Sequence, residues 1–151
     1  MNISEICRRN PVTIRAHEEL DAAARLMRER HIGYLIVVEP HPPHAGPRTV
    51  GVLTDRDIVV SVIAKGADPR QVRVGDVMTR APVVVCEDAS LNSALAEMRR
   101  IGVRRMPVVD EIGQLVGVLS LDEVLDVLAQ ELLGVIGSIR TEVRTEGVRR
   151  P

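Results

Sequence analysis

Aromatic side chains are almost missing from this chain: among 151 residues there is no Trp, no Phe and a single tyrosine, Tyr34. A core built without rings must be aliphatic, and the stacking platforms that hold single-stranded nucleic acid are not available. Lysine is as scarce, since Lys65 alone supplies it among 20 basic residues, and 21 acidic residues bring the net charge to −1. No long-range positive field therefore gathers nucleic acid, and none is expected as a partner. The only two cysteines, Cys7 and Cys86, stand far apart and outside any close metal-binding spacing, so neither a disulfide framework nor a zinc site is expected, only reduced thiols. No stretch approaches the roughly 18 consecutive apolar residues of a membrane span, and Met1–Asn10 lacks the apolar run of a secretion signal. The expectation is a cytoplasmic protein with no membrane association.

What the chain does have is itself, twice. Pro11-Val12-Thr13-Ile14 reappears 71 positions later as Pro82-Val83-Val84-Val85. At the same offset Leu20, Ala23, Ala24 and Met27 become Leu91, Ala94, Leu95 and Met98, both sets at the spacing of one helical face. Val50-Gly51-Val52-Leu53 returns as Val116-Gly117-Val118-Leu119 at an offset of 66, so the first copy carries five extra residues within Pro40–Arg48. Each copy reads as strand, helix, two strands joined by a turn, and a second helix. The paired strands are Tyr34–Val38 with Val50–Leu53, and Met106–Val109 with Val116–Leu119. The closing helices start near Asp55 and Leu121, with apolar faces at Ile58, Val59, Val62 and Ile63 and at Val124, Leu125, Val127 and Leu128. Gly113 suits a left-handed turn position, and Ala67–Val74 reads as the linker. A small sheet with helices on one side leaves an apolar face, and a second copy is the simplest cover for it. The expected fold is α+β: two pseudo-symmetric copies, 1–70 and 71–127, packed as one unit, followed by a helical extension over 128–151 with a frayed end from Thr145.

These residues resemble the cystathionine-beta-synthase (CBS) domain pair, or Bateman module, over roughly Ile3–Val127. Gly51-Val52-Leu53-Thr54-Asp55-Arg56-Asp57 looks like the family's Gly-x-x-Thr-x-x-Asp signature, and Gly117-Val118-Leu119-Ser120-Leu121-Asp122-Glu123 is its counterpart. Asp76-Val77-Met78-Thr79 and Val103-Arg104-Arg105-Met106-Pro107 also match. The resemblance implies clefts between the copies that hold adenosine-type ligands: AMP, ADP or ATP first, S-adenosylmethionine or a nicotinamide dinucleotide as alternatives. It nominates Asp57 for the ribose, Thr54 for phosphate, and Thr13, Tyr34 and Ile36 around the base, with Arg56 as a further candidate. In the second copy it nominates Ser120, Glu123, Arg104, Arg105 and Pro107. The chemistry is sound by itself, because a helix start offers unpaired N–H groups to an anion while a carboxylate one turn along accepts ribose hydroxyls.

A plainer reading stands beside this one. Thr54-x-x-Asp57 and Ser120-x-x-Glu123 are also ordinary helix capping boxes that need no ligand. Glu123 replaces the expected Asp, so the first copy is expected to hold the better site. His41-Pro42-Pro43-His44 reads as an exposed loop, not a metal clip, and His17 and His31 as surface or helix-end residues. Leu125, Leu128, Leu132, Val135 and Ile139 step by three and four, a seam of coiled-coil type that predicts a homodimer contact through Leu128, Leu132, Val135 and Ile139, with a helix folded back on its own core as the alternative. No nucleophile with a neighbouring base and no phosphate loop is present, so no catalytic residue and no cofactor are expected. Two functions follow: a non-catalytic regulatory module that binds an adenine nucleotide and signals to an unidentified protein, or a dimerisation adaptor that uses the fold without a ligand.

Overall fold

In the computed structural model, which describes residues 1–40 and 46–149, the repeat in the sequence becomes a repeat in space. In chain order the elements are β1 (Arg8–Arg9), β2 (Thr13–Arg15), α1 (Leu20–Arg30), β3 (Tyr34–Glu39), β4 (Arg48–Thr54), α2 (Asp55–Ser61), α3 (Val74–Val77), β5 (Thr79–Arg80), β6 (Val85–Cys86), α4 (Leu91–Ile101), β7 (Arg105–Val109), β8 (Leu115–Ser120) and α5 (Leu121–Arg149). The helical stripes Leu20, Ala23, Met27 and Leu91, Ala94, Met98 are buried as their spacing requires. Both helices end on a left-handed residue, His31 in α1 and Gly102 in α4, which turns the chain into the following strand. Gly113 takes the positive φ foreseen for the β7–β8 turn.

Two four-stranded sheets result, ordered β2-β3-β4-β5 and β1-β8-β7-β6. The strands at their edges are exchanged. β5, from the segment leading into the second copy, pairs with β4, and β1, from the N-terminal segment, pairs with β8. The cores follow the strands: Val74 and Met78 pack with Leu35, Val37, Leu53 and Ile58, while Ile3, Ile6 and Cys7 pack with Met106, Val108, Leu119 and Val124. The packing units therefore cut across a division at residue 70, and the segment read as a linker ends in a buried residue, Val74. This exchange explains the signature glycines. A Cβ on Gly51 would run into the Met78 sulfur, and one on Gly117 would lie 2.8 Å from the Arg8 carbonyl oxygen and 3.1 Å from the Cys7 sulfur.

Leu35 and Val37 face the helices, yet the alternate residues Ile36 and Val38 are buried too, as is Pro107 between Met106 and Val108. Both faces of each central strand pair are thus covered, the second face by the other repeat. The closing helices depart from expectation in two ways. Around α2, Ile58 and the capping Val62 are buried but Val59 on the helix and Ile63 in the 3-10 turn that follows are more than half exposed. On α5, Val124 is buried and Val127 half-buried, while Leu125 and Leu128 face solvent. That helix runs to Arg149, and it does not fold back on the core. His41 and His44 lie outside the described residues.

Candidate functional site

Both signature turns fold as capping boxes. At the start of α2 the Asp57 N–H donates to Thr54 Oγ1 (3.1 Å) and the Thr54 N–H donates to Asp57 Oδ2 (2.9 Å). At the start of α5 the Ser120 N–H donates to Glu123 Oε2 (3.0 Å), and the Ser120 hydroxyl donates to the same oxygen. The second carboxylate oxygens differ. Glu123 Oε1 takes an ion pair from Arg8 at 3.0 Å, whereas Asp57 Oδ1 accepts no hydrogen bond among the described residues. The cause is positional, since β1 and β5 run alike beside the two signature strands, and Arg8 opposite Val118 corresponds to Thr79 opposite Val52.

A cavity of about 240 Å³ opens between the repeats at the start of α5. One side is apolar and comes mainly from the first repeat: Pro11, Val12, Ile32, Tyr34 and Ile36, joined by Val118 of β8. The other side is polar: Ser120, Asp122 and Glu123 from the first turn of α5, with Arg8, Arg105, Asn10 and His31. Arg105 pairs with Asp122 at 3.4 Å, and Arg104 approaches the same carboxylate at 3.9 Å. The charged groups of the wall thus stand as two cation–carboxylate pairs, each partly exposed and able to change partner. Burial pushes the Tyr34 hydroxyl above the usual phenol range, with the Arg105 guanidinium opposing it, so the ring presents a neutral O–H. Asn10, at the rim, has φ 56°, and its counterpart Ala81 has φ 45°, so the same left-handed step precedes β2 and β6.

The structure regroups the residues nominated from the sequence. Tyr34 and Ile36 share the cavity with Ser120, Glu123 and Arg105 of the opposite repeat, not with Thr54 and Asp57 of their own. Neither Thr54, Asp57 nor Arg56 lines it; they form the start of α2, where Tyr34 is the strand partner of Thr54. Thr13 sits exposed on β2 beside Ile36, Arg104 stands outside the wall, and the Pro107 side chain is buried on the face of β7 opposite Met106 and Val108. In this cavity Tyr34 and Ile36 thus stand with the second signature and not with the first. Residues of β3 in the first repeat thus look across the cavity at the first turn of the second repeat's closing helix. Arg8, Asn10, Val12, His31 and Asp122 were not nominated. The signal for Arg8 and Asn10 was their place just before the repeated Pro-Val string, for Val12 its place within that string, and for Asp122 its place inside the signature. Among the described residues there is no group of three or more His, Cys, Asp or Glu able to hold a metal ion, and no helix long and apolar enough to cross a membrane.

Comparison with known proteins agrees with this architecture. The CBS domain family model matches residues 3–63 and 74–130. The uncharacterized protein MK0525 of Methanopyrus kandleri is 33% identical over 128 residues, covering 84% of this chain and 62% of that protein, so the chain spans less than two thirds of its length. Among solved structures, the CBS domain pair of protein MJ0100 in complex with 5'-methylthioadenosine and S-adenosyl-L-methionine superposes with a TM-score of 0.74 at 21% identity, over 87% of this chain and 98% of that one. The hexameric CBS-CP12 protein from bloom-forming cyanobacteria matches with a TM-score of 0.72 at 28% identity, over 99% of this chain and 84% of that one.

Proposed function

This chain belongs to the CBS domain family, and from that premise we propose that it is a non-catalytic regulatory module whose cavity between the repeats takes an adenosine-containing ligand. The observation that carries the reading is the composition of the cavity: an apolar slot on one side, and on the other a helix start that combines a carboxylate, guanidinium groups and backbone donors. Adenine would lie against Ile36, Tyr34 and Val118. Glu123 would accept the ribose hydroxyls in exchange for Arg8, and the freed Arg8 with Arg105 would turn to phosphate at the positive end of α5. At about 240 Å³ the cavity falls below the roughly 300–1,000 Å³ typical of sites for drug-sized ligands. A mononucleotide with its phosphates at the mouth suits that space better than a dinucleotide, so AMP, ADP or ATP are the favoured ligands, acting as regulators and not as cofactors. The solved MJ0100 pair, which holds adenosine-type ligands, supports the class of ligand through the shared fold alone.

Signalling follows from the position of α5. The helix whose first turn walls the cavity is the same helix that leaves the core, so a ligand that prefers one setting of that turn shifts the whole helix and its contacts with a regulated protein. A second reading, a constitutive adaptor without ligand, draws support from the exposed apolar side chains of α5.

Thermal unfolding with millimolar AMP, ADP, ATP, S-adenosylmethionine or NADH separates the two. Ligand at about 100 times its Kd adds about 2.7 kcal/mol, or roughly 5–10 °C in Tm for a chain of this length. A rise with one ligand that is lost in Glu123→Ala supports the regulatory module. No rise with any of the five overturns it in favour of the adaptor.

A further inference from the structure

Guanidinium and carboxylate groups are matched on the polar wall of the cavity, Arg8 with Glu123 at 3.0 Å and Arg105 with Asp122 at 3.4 Å. The two pairs are built differently. Glu123 is held in the cap of α5 by the Ser120 N–H and hydroxyl. Asp122 takes no part in that cap. Its side chain is 59% exposed, and among the described residues its ion-pair partners are Arg105 and, from outside the wall at 3.9 Å, Arg104.

The internal repeat marks Asp122 as a departure. At the offset of 66 that relates the two signatures, Ser120 corresponds to Thr54 and Glu123 to Asp57, and these act alike in their caps. Asp122 corresponds to Arg56. The same place in the first turn of a closing helix thus carries a cation in one copy and an anion in the other. Neither side chain enters a capping box, so the fold asks for neither charge.

What the anion does at the cavity rests on the adenosine reading above. Ribose hydroxyls that take Glu123 release Arg8, which leaves one guanidinium for the first phosphate. A second or third phosphate reaches toward the mouth, and Arg105 can follow it only by leaving Asp122. Arg104 still holds the Asp122 carboxylate in place, so the added phosphate charge meets a like charge. We infer that Asp122 is a specificity-determining residue: it retains Arg105 and fits the cavity to an adenosine ligand with one phosphate in preference to two or three.

Titration calorimetry of the full chain with AMP and with ATP, in buffer free of divalent cations, tests this on wild type, Asp122→Asn and Asp126→Asn. Wild type is expected to bind AMP at least about tenfold more tightly than ATP. Asp122→Asn should tighten ATP roughly three- to tenfold and change AMP by less than about twofold, an effect that shrinks as salt is raised. Asp126→Asn removes the same charge one turn further along α5, outside the cavity, and should leave the ratio of the two affinities at its wild-type value. Circular dichroism checks that both variants are folded. A wild type that prefers ATP overturns the inference, as does a ratio that Asp122→Asn leaves unchanged or that Asp126→Asn shifts equally, and in each case the adenosine reading stands. Failure of wild type to bind either nucleotide overturns that reading and the inference together.

Discussion

The two repeats share a sheet, a glycine, a capping box and an exchanged edge strand, yet they end differently. The first closes on a seven-residue helix, α2, the second on the 29-residue α5. Among the described residues the first leaves one Asp57 oxygen without a partner, whereas the second spends both Glu123 oxygens, one within the cap and one on Arg8. What the difference teaches is that common scaffolding constrains the glycine and the hydroxyl, while the residue arriving on the neighbouring edge strand, Arg8 or Thr79, decides whether the carboxylate is offered an ion pair. A signature therefore does not describe a site until the strand beside it is known.

The broadest way to break the comparison is through the cores. Leu35→Ala and Met106→Ala remove equivalent, fully buried side chains, and each is expected to cost about 2–5 kcal/mol. Because each sheet takes a strand from the other copy's leading segment, both variants should lower one common transition in calorimetry. Two separate transitions would mean that the repeats fold independently.

Next comes the asymmetry of the carboxylates. Glu123→Gln should weaken nucleotide binding roughly 10- to 100-fold, from the loss of charged hydrogen bonds worth about 1.5–3 kcal/mol, whereas Asp57→Asn should leave the affinity at the cavity unchanged. Titration calorimetry on both variants decides, and the reverse order would move the site to the start of α2. The capping hydroxyls sharpen the likeness: Thr54→Ala and Ser120→Ala should each cost about 1 kcal/mol without ligand, read as a small drop in Tm. Smallest is the Arg8 pair. Its guanidinium is largely exposed, so Arg8→Ala should change stability by less than about 1 kcal/mol, with an effect that fades as salt is raised. A larger, salt-insensitive loss would show that Arg8 holds β1 in the sheet by other means.

Much of the fold was legible because the chain repeats itself. Two aligned copies turn weak local signals into a consistent pattern, and the helical stripes Leu20–Met27 and Leu91–Met98, the strand pairs and the start of each closing helix lie where the periodicity puts them. The exchange of edge strands was not legible. β1 is Arg8-Arg9 and β5 is Thr79-Arg80, exposed strands two residues long, with no alternation to announce them. For the same reason the residues nominated for one site divided between two. Sequence distance suggested that Tyr34 and Thr54 act together, whereas the packing of the two repeats sets Tyr34 across the cavity from the Ser120 helix. Apolar spacing also marked Val59 and Ile63 without saying which side of a short helix stays uncovered. Periodicity reports a stripe, not its partner.

The exchanged strands also bear on where such a chain comes from. A half-length ancestor with a single repeat and its own leading segment would carry one strand too many at its N-terminus and one vacant sheet edge. Two such molecules would complete each other by domain swapping. Gene duplication and fusion would then turn an encounter between molecules into an event within one, at the high effective concentration that a short tether provides. Once joined, each half is free to lose features the other retains, as the unequal closing helices already illustrate.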